Sequence, residues 1–225
     1  MSSMKVTTRK PAADRREEIV KAVLRIIGER GLTSLSTTTL AAEVDVTTGA
    51  LYRHFTSLDE ILNQTVRFGV SCIEETFPPA ALGPVERIMS LARERVRVLG
   101  SNPGLAWLLR SEQAYLTLPE DAVQQLRKVV HRSRRFLLDA LNEGVHRGVI
   151  RSDIEPEVLL VPVLGTIHAV IGMQGTPGSS ATKQSQEQEQ VLLALKRLLE
   201  PVGSPELSTS KSRRSIKTTT IKKES

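Results

Sequence analysis

Apolar residues recur at three- and four-residue spacing along almost the whole chain. This spacing places them on one face of a helix, and the alternation typical of β-strands is nearly absent. The pattern therefore predicts an all-α protein. The helices that it predicts span about 16–30, 37–44, 48–54, 58–76, 84–99, 103–116, 119–146, 156–173 and 187–200.

Residues with known preferences for helix ends support these boundaries. Gly31 follows the first helix as a C-terminal glycine, and Ser36 and Ser57 precede later helices as N-caps. Prolines stand near the start of four further helices, at 84, 103, 119 and 156. The Gly-, Ser-, Gln- and Glu-rich segment 175–190 predicts a loop, and the composition beyond Pro201 predicts a disordered tail.

Charge is unevenly distributed along the chain. The net charge is +6, and residues 1–16 carry Lys5, Arg9, Lys10, Arg15 and Arg16 against Asp14 alone. The tail from Pro201 has a similar basic surplus, whereas the middle of the chain is slightly acidic. Basic ends of this kind bind a polyanion by releasing its counterions. A purely solubilising role is an equal alternative for the C-terminal tail.

Several classes of protein are disfavoured by composition. One cysteine, Cys72, precludes an internal disulfide and suits a reducing cytoplasm, and no signal peptide is apparent. The most apolar segment, 158–173, is shorter than a membrane span and contains Pro162 and His168. The histidines lack H-E-x-x-H spacing, and neither G-x-S-x-G nor a phosphate-binding loop occurs. We therefore expect a cytoplasmic protein without catalytic, metal or cofactor sites.

Helices 37–44 and 48–54, joined by V-D-V, form a helix-turn-helix pattern. Asp45 lies where the turn needs a positive φ, which aspartate tolerates better than most residues. The second helix combines hydroxyl, aromatic and basic groups that suit DNA, and its glycine leaves the backbone bare for a close approach. These residues are Thr47, Thr48, Gly49, Tyr52, Arg53 and His54. The alternative is an ordinary corner of two helices whose polar side faces water.

From Arg15 to about Leu62 the sequence resembles the N-terminal domain of TetR-type bacterial transcriptional repressors. The matching segments are E-R-G at 29–31, S-T-T-T-L-A-A-E-V at 36–44, V-T-T-G-A-L-Y-R-H-F at 46–55 and S-L-D-E-I-L at 57–62. Looser similarity to the ligand domains of one branch occurs at 102–115 and 148–157. The resemblance implies a DNA-binding domain over 15–62 and a helical effector-binding and dimerisation domain over 63–200. Charge and composition add a basic flexible arm over 1–14 and a disordered basic tail over 201–225.

The resemblance also implies which residues meet double-stranded DNA. Ser36, Thr37 and Thr38 would contact the backbone, and Thr47, Thr48, Gly49, Tyr52 and His54 would lie in or beside the major groove. Many members of the family carry lysine where this chain has Thr48 and Leu58. Our hypothesis is that the basic arm, Lys5 to Arg16, compensates for these two missing phosphate contacts.

A homodimer is the assembly that the resemblance implies, formed through the apolar faces of helices 156–173 and 187–200. Its two DNA-binding domains would lie about one helical turn of DNA apart, roughly 34–36 Å, which predicts a near-palindromic operator. No membrane partner is expected.

Relatives bind an inducing small molecule among their middle helices, and the predicted lining here is mostly apolar. The candidates are Phe68, Cys72, Met89, Trp107, Leu108, Tyr115, Phe136, Thr166, His168 and Met173. A hydrophobic or aromatic effector is therefore expected. Each residue also has a plainer explanation: Trp107, Phe136 and His168 suit a helical core, and a lone cysteine on an apolar stripe is usually inert.

Two functions fit this resemblance. The first is a ligand-responsive repressor acting at one or two operators. The alternative is a division regulator similar to the nucleoid-occlusion proteins, which share the fold and a similar A-L-Y-R-H-F ending and act by carrying a partner protein on DNA. Binding sites scattered over the chromosome would favour the second function.

Overall fold

The structure is a computed structural model that describes residues 12–173 and 181–202. Within these ranges it contains ten α-helices, one short 3-10 helix and no strand, which confirms the all-α prediction. The 3-10 helix covers Leu32–Ser34. The α-helices are α1 Ala12–Arg30, α2 Thr37–Glu43, α3 Thr48–Leu51, α4 Leu58–Glu74, α5 Pro84–Gly100, α6 Pro103–Arg110, α7 Glu112–Thr117, α8 Glu120–His146, α9 Pro156–Gly172 and α10 Ala181–Leu199.

Side-chain caps begin several of these helices, as their sequence predicts. Ser36 Oγ accepts a hydrogen bond from the Thr39 amide at 3.0 Å, and Ser57 Oγ accepts one from the Glu60 amide at 3.1 Å. Each cap satisfies an amide that has no partner inside the helix. Proline occupies the first turn of α5, α6 and α9, where the missing amide is not needed.

The helix predicted over 103–116 is interrupted. Ser111 has an extended backbone with ψ of 123°, so α6 ends at Arg110 and α7 starts a new direction at Glu112. Apolar spacing alone did not reveal this break because Leu105, Leu108 and Ala114 are all buried, on both sides of it. The prediction of one continuous helix was therefore wrong.

The last helix also begins earlier than predicted, at Ala181 instead of about 187. Its first turns are attached to the end of α9 by polar contacts: Gln184 Nε2 donates to the Met173 carbonyl at 2.5 Å, and Gln188 Nε2 to the Val170 carbonyl at 3.3 Å. The residues that attach this part of α10 to α9 are glutamines and not apolar residues. The apolar spacing that predicts a helix is therefore absent here, and the sequence predicted a loop. The loop prediction for 181–190 was wrong, and the rest of the predicted loop, 175–180, lies outside the described residues.

Helices α1 to α4 pack into an N-terminal unit around fully buried residues, among them Ile19, Leu40, Leu51, Phe55 and Ile61. Glu43 at the end of α2 is bound by two arginines of α1, with Arg25 Nε at 3.1 Å and Arg30 Nη2 at 2.7 Å. The arginines lower the pKa of this carboxyl. The domain boundary predicted after Leu62 falls inside α4, which continues without interruption into the rest of the molecule.

The larger part of the molecule is a bundle in which α8 packs against α4, α5 and α9, and α10 packs against α5 and α9. Helix α6 crosses α1 at very short range, because two glycines, Gly28 and Gly104, face each other there. None of the helices within the described ranges combines the length and apolar character that crossing a lipid bilayer requires.

Candidate nucleic-acid interface and effector cavity

The turn of the helix-turn-helix has the backbone that its sequence predicts. Asp45 adopts a φ of 53°, the one positive φ of a non-glycine residue within the described ranges. The Val46 amide then donates to the Ala41 carbonyl at 3.0 Å, which closes the turn after α2. Leu40, Ala41, Val44 and Leu51 are buried beneath it, and they fix the angle between the two helices.

Helix α3 is shorter than predicted: it ends at Leu51 and not at His54. After Leu51 the amides of Arg53 and His54 bond to carbonyls three residues earlier, at 3.3 and 2.9 Å. Bonds of this tighter type commonly end a helix. Tyr52, Arg53 and His54 therefore lie in the turn that follows α3, and the prediction that they belong to the helix was wrong.

Helix α3 and this turn present a polar surface to solvent. Thr47, Thr48, Gly49, Tyr52 and Arg53 are exposed, and Tyr52 exposes 49% of its surface despite its aromatic ring. His54 is half-buried. Thr47 Oγ1 caps α3 by accepting a hydrogen bond from the Ala50 amide at 3.2 Å. A Cβ at Gly49 would meet no atom within 4 Å, so the backbone there is open to an incoming surface.

The start of α2 contributes a second polar group of residues. Ser36 and Thr38 are exposed and Thr37 is half-buried. The Ser36 hydroxyl is hydrogen-bonded within the chain, to the Thr39 amide and to Thr39 Oγ1 at 2.8 Å. Its cap role therefore occupies part of its hydrogen-bonding capacity.

An arginine of α1 holds the polypeptide after α3 in place. Arg16 stacks 4.4 Å above the centre of the Phe55 ring and donates to Glu60 Oε1 at 2.6 Å. The other Glu60 oxygen accepts hydrogen bonds from the backbone amide and hydroxyl of Thr56, at 2.5 and 2.8 Å. The Thr56 bonds, followed by Arg16, lower the pKa of Glu60 to about 2.

These contacts change the description of the basic arm. Arg15 and Arg16 belong to α1, where Arg15 pairs with Glu18 at 3.0 Å and Arg16 with Glu60, so they are not part of a free arm. Lys5, Arg9 and Lys10 lie outside the described residues. Leu58, which stands where many relatives carry lysine, is half-buried at the start of α4 and lines a groove with Leu62 and Trp107.

A partly open cavity of about 170 Å³ lies between α5, α8, α9 and the α6–α7 segment. Tyr115 and His168, both predicted pocket residues, line it. Burial raises the pKa of Tyr115. His168 reaches the surface at one edge, yet burial lowers its pKa, and the positive charges of Arg110 and Arg95 lower it further.

The other predicted pocket residues do not line this cavity. Trp107 lines a neighbouring, more open cleft of about 370 Å³ that shares Leu99, Arg110 and Ile171 with the cavity. Met89 and Leu108 are buried in the core, and Phe136 packs edge-on against Phe77 with ring centres 5.2 Å apart. Phe68 lines a separate groove beside α1, while Cys72, Thr166 and Met173 are half-buried elsewhere. Burial raises the pKa of the Cys72 thiol.

The charged and polar part of the lining was not predicted from the sequence. Arg95, Arg110, Ser133 and Arg134 all face the cavity, together with apolar residues of α5, α8 and α9. One signal was present: Arg95 stands among buried Leu91, Ala92 and Leu99 on the apolar stripe of α5, where a charged residue is unexpected.

Helices α9 and α10 expose large apolar side chains on the outside of the bundle. Val158 and Val161 of α9 expose 59% and 66% of their surface, and Leu193 and Leu198 of α10 expose 43% and 62%. Leu192, Leu195 and Leu199, which belong to the apolar face of α10, are buried within the chain itself. Only part of the apolar residues of these two helices is therefore available to an interface.

Known proteins share this architecture. Residues 19–65 match the model of the bacterial regulatory proteins of the tetR family. The HTH-type transcriptional repressor KstR2 of Mycobacterium tuberculosis H37Rv is 21% identical over 185 residues, covering 80% of this chain and 91% of the relative. The solved structure of KstR2 of M. tuberculosis superposes with a TM-score of 0.71 at 20% identity, over 89% of this chain and 99% of that chain.

Two further proteins are similar over most of their length. The crystal structure of AibR in complex with isovaleryl coenzyme A and operator DNA has a TM-score of 0.68 at 21% identity, covering 83% of this chain and 98% of that one. The nucleoid occlusion factor SlmA of Vibrio campbellii is 28% identical over 167 residues, 69% of this chain and 81% of the relative. Residues 19–65, which contain the helix-turn-helix, therefore match the bacterial regulatory proteins of the tetR family, and the chain shares its fold with the solved regulators KstR2 and AibR.

Proposed function

We propose that this protein is an effector-responsive transcriptional repressor that binds a near-palindromic operator as a homodimer. The observation that carries the proposal is the exposed polar surface of Thr47, Thr48, Gly49, Tyr52 and Arg53, held by a buried helix-turn-helix core. Hydroxyl, aromatic and guanidinium groups of this kind contact phosphates and base edges in the major groove. Ser36, Thr37, Thr38 and His54 complete the proposed contact surface. We assign it to a DNA-binding domain over 15–62, and the cavity to an effector domain over 63–200.

A link between DNA and a small molecule is supported by the route from the cavity to the N-terminal unit. Arg110 of α6 lines the cavity, and α6 crosses α1 in direct backbone contact. A ligand that shifts α6 would therefore move α1, against which α2 and α4 are packed. The AibR structure, which holds isovaleryl coenzyme A and operator DNA, supports the same two-part arrangement.

The homodimer is supported by the apolar residues exposed on α9 and α10. Val158 and Val161 of α9 and Leu193 and Leu198 of α10 are large apolar side chains exposed on two helices that pack against each other, and a second copy would cover them. Pro162 and Gly165, also exposed on α9, would allow the two copies of this helix to approach closely. A symmetric dimer of this kind would present two α3 helices to successive major grooves.

The basic arm is proposed to supply the phosphate contacts that Thr48 and Leu58, in place of lysine, do not make. Replacing Lys5, Arg9 and Lys10 by glutamine should weaken operator binding and flatten its salt dependence, by about 0.9 in the logarithmic slope for each phosphate that the arm no longer neutralises. Binding measured at several salt concentrations tests this. An unchanged affinity together with an unchanged slope would contradict it.

Mapping of bound DNA across the genome tests the proposed function. A repressor should occupy one or a few sites that contain a near-palindrome, and the purified protein should bind a duplex carrying that sequence as a dimer. A matched protein with Tyr52→Ala and Arg53→Ala should lose the binding while it keeps its helical content. Absence of specific binding by the unaltered protein would refute the proposal.

The similarity to the nucleoid occlusion factor SlmA supports a second candidate function, that of a division regulator. A division regulator should occupy many sites scattered over the chromosome, in place of a few near regulated genes. The same mapping experiment therefore separates the two functions. The cavity between α5, α8, α9 and the α6–α7 segment favours the effector-responsive repressor, because a protein that acts only by carrying a partner has no need of it.

A further inference from the structure

Among the residues that the structure describes, the cavity between α5, α8, α9 and the α6–α7 segment is lined by positive charge without negative charge to balance it. Arg95, Arg110 and Arg134 all line it, and its lining within the described residues includes no aspartate or glutamate. Arg110 and Arg134 are exposed, so they lie toward the mouth. Arg95 is less exposed and lies deeper, among apolar residues of α5.

Arg95 is held by neutral groups. Its Nε donates to Thr76 Oγ1 at 2.5 Å and its Nη2 to Ser133 Oγ at 3.0 Å, and both hydroxyl residues are buried. The guanidinium also lies 5.2 Å from the centre of the Phe77 ring. These contacts fix its position while leaving its positive charge without a carboxylate partner among the described residues. Burial lowers the pKa of Arg95 to about 10.

The acidic group that acts on Arg95 is already paired. Glu74 of α4 raises the pKa of Arg95 by its charge, but its carboxylate forms an ion pair with Arg132 of α8. A buried cation that lacks an ionic partner is costly, and an anion with suitable geometry relieves that cost. Guanidinium groups bind carboxylates with two parallel hydrogen bonds, which neutral ligands do not reproduce.

The remaining lining limits the rest of the ligand. Leu91, Leu99, Leu137, Ile167 and Ile171 form apolar walls around the guanidinium. The cavity measures about 170 Å³, and an apolar protein cavity of about 150 Å³ accommodates benzene. The space therefore suits one ring or a short branched chain, with a charged group at one end.

We propose that the effector is a small organic acid whose carboxylate binds Arg95 and whose apolar part contacts the leucine and isoleucine walls. The inference rests on the proposed effector-responsive function and adds the chemical class of the ligand. It refines the expectation of a hydrophobic or aromatic effector, because the same apolar body now carries a negative charge. Arg110 and Arg134, at the mouth, would attract the acid before it enters.

Titration calorimetry on the full chain tests the ligand class. The probes are benzoate, phenylacetate and hexanoate, each paired with its amide, which has nearly the same shape without the charge. At least one acid should bind, about ten-fold or more tightly than its amide, because hydrogen bonds between charged groups are stronger than neutral ones. Equal binding of acid and amide, or no binding of any acid at millimolar concentration, would overturn the proposal. This comparison needs no variant, so a loss of folding cannot obscure it.

Substitutions test the role of Arg95. Arg95→Gln should remove the preference for the acid, and Arg95→Lys should retain part of it. The matched control is Arg97→Gln, which removes the same charge from an exposed position of the same helix and should leave the preference intact. Binding of benzoyl coenzyme A that is indifferent to Arg95→Gln, with no binding of the free acid, would show that the anionic part lies elsewhere.

Operator binding by the same samples separates this inference from the proposed function. If the protein binds its operator but no acid binds the cavity, the ligand class is wrong and the repressor function stands. If no specific operator is found while an acid binds through Arg95, the repressor function fails and the cavity assignment stands.

Discussion

Gly49 lies in the first turn of α3 with open space above its backbone. A Gly49→Ala protein should therefore fold normally, with a free energy of unfolding unchanged or up to about 1 kcal/mol higher, because alanine favours helix over glycine. Operator affinity should fall by roughly ten-fold if DNA packs against this backbone, since an added methyl in a close-packed contact costs about 1–3 kcal/mol. Denaturant unfolding and operator titration measure the two effects. Unchanged affinity would show that DNA does not approach Gly49 closely.

Glu60 links α1, Thr56 and α4 through its carboxylate, and its pKa in the folded protein is about 2 against an ordinary value of 4.5. A carboxyl whose pKa is lowered by folding stabilises the protein above its ordinary pKa. That stabilisation is lost as the pH falls from about 4.5 towards about 2.

Glu60→Gln tests this pH dependence. The unaltered protein should melt at a higher temperature than the variant at pH 6, and the difference should shrink progressively below about pH 4.5. Asp59→Asn is a matched control, since Asp59 is an exposed neighbour in the same first turn of α4. A difference in melting temperature that stays constant between pH 6 and pH 3 would contradict the assigned role of Glu60.

At the scale of elements, the crossing of α1 and α6 sets how the bundle meets the DNA-binding unit. A Cβ at Gly104 would overlap the Leu24 carbonyl oxygen, and one at Gly28 would lie 2.8 Å from the Gly104 amide nitrogen. The two backbones therefore pack in direct contact. The nearest atoms are backbone atoms and the rigid ring of Pro103, so we expect a movement of α6 to displace α1 as a whole helix.

Gly104→Ala should separate the two helices and reduce the free energy of unfolding by about 1–3 kcal/mol or more, as overpacking does in cores. Gly49→Ala is the control, because it introduces the same methyl where nothing lies within 4 Å. The operator affinity of the Gly104 variant should also change under conditions where it remains folded, because α1 packs against α2 of the helix-turn-helix. Chemical denaturation and operator titration measure both effects. A Gly104 variant as stable as the unaltered protein would contradict the tight crossing.

At the scale of the whole molecule, the proposed dimer depends on the large apolar residues that α9 and α10 expose. Val161→Glu places a charge at the most exposed large apolar residue of α9, where the partner would have to bury it. The variant should sediment as a monomer at concentrations where the unaltered protein is a dimer, and it should lose most of its operator affinity.

The matched control for the dimer is Val149→Glu, which makes the same change at an exposed valine between α8 and α9. This variant should remain dimeric. Analytical ultracentrifugation compares the two proteins. A Val161→Glu protein that stays dimeric would show that the interface lies elsewhere. An unaltered protein that is monomeric would exclude the dimer.

The sequence by itself determined the local features of this protein. The caps at Ser36 and Ser57, the positive φ at Asp45 and the apolar residues under the helix-turn-helix were all predictable, because each depends on neighbours within a few positions. The same holds for the class of fold, which follows from helical periodicity. Apolar spacing did not predict where α3 and α6 end. At both places the backbone hydrogen-bond pattern changes and ends the helix, although the apolar spacing continues.

Only the tertiary structure decided which residues share the cavity. Tyr115 and His168 were predicted, whereas Arg95, Arg110 and Ser133 were not, because a cavity is formed by residues of several helices whose relative rotation is not encoded in any one helix. The early start of α10 was also decided this way, by glutamines that bond to the end of α9. Periodicity determines which side of a helix is buried, but the packing of the helices against each other determines whether that side contacts core or cavity.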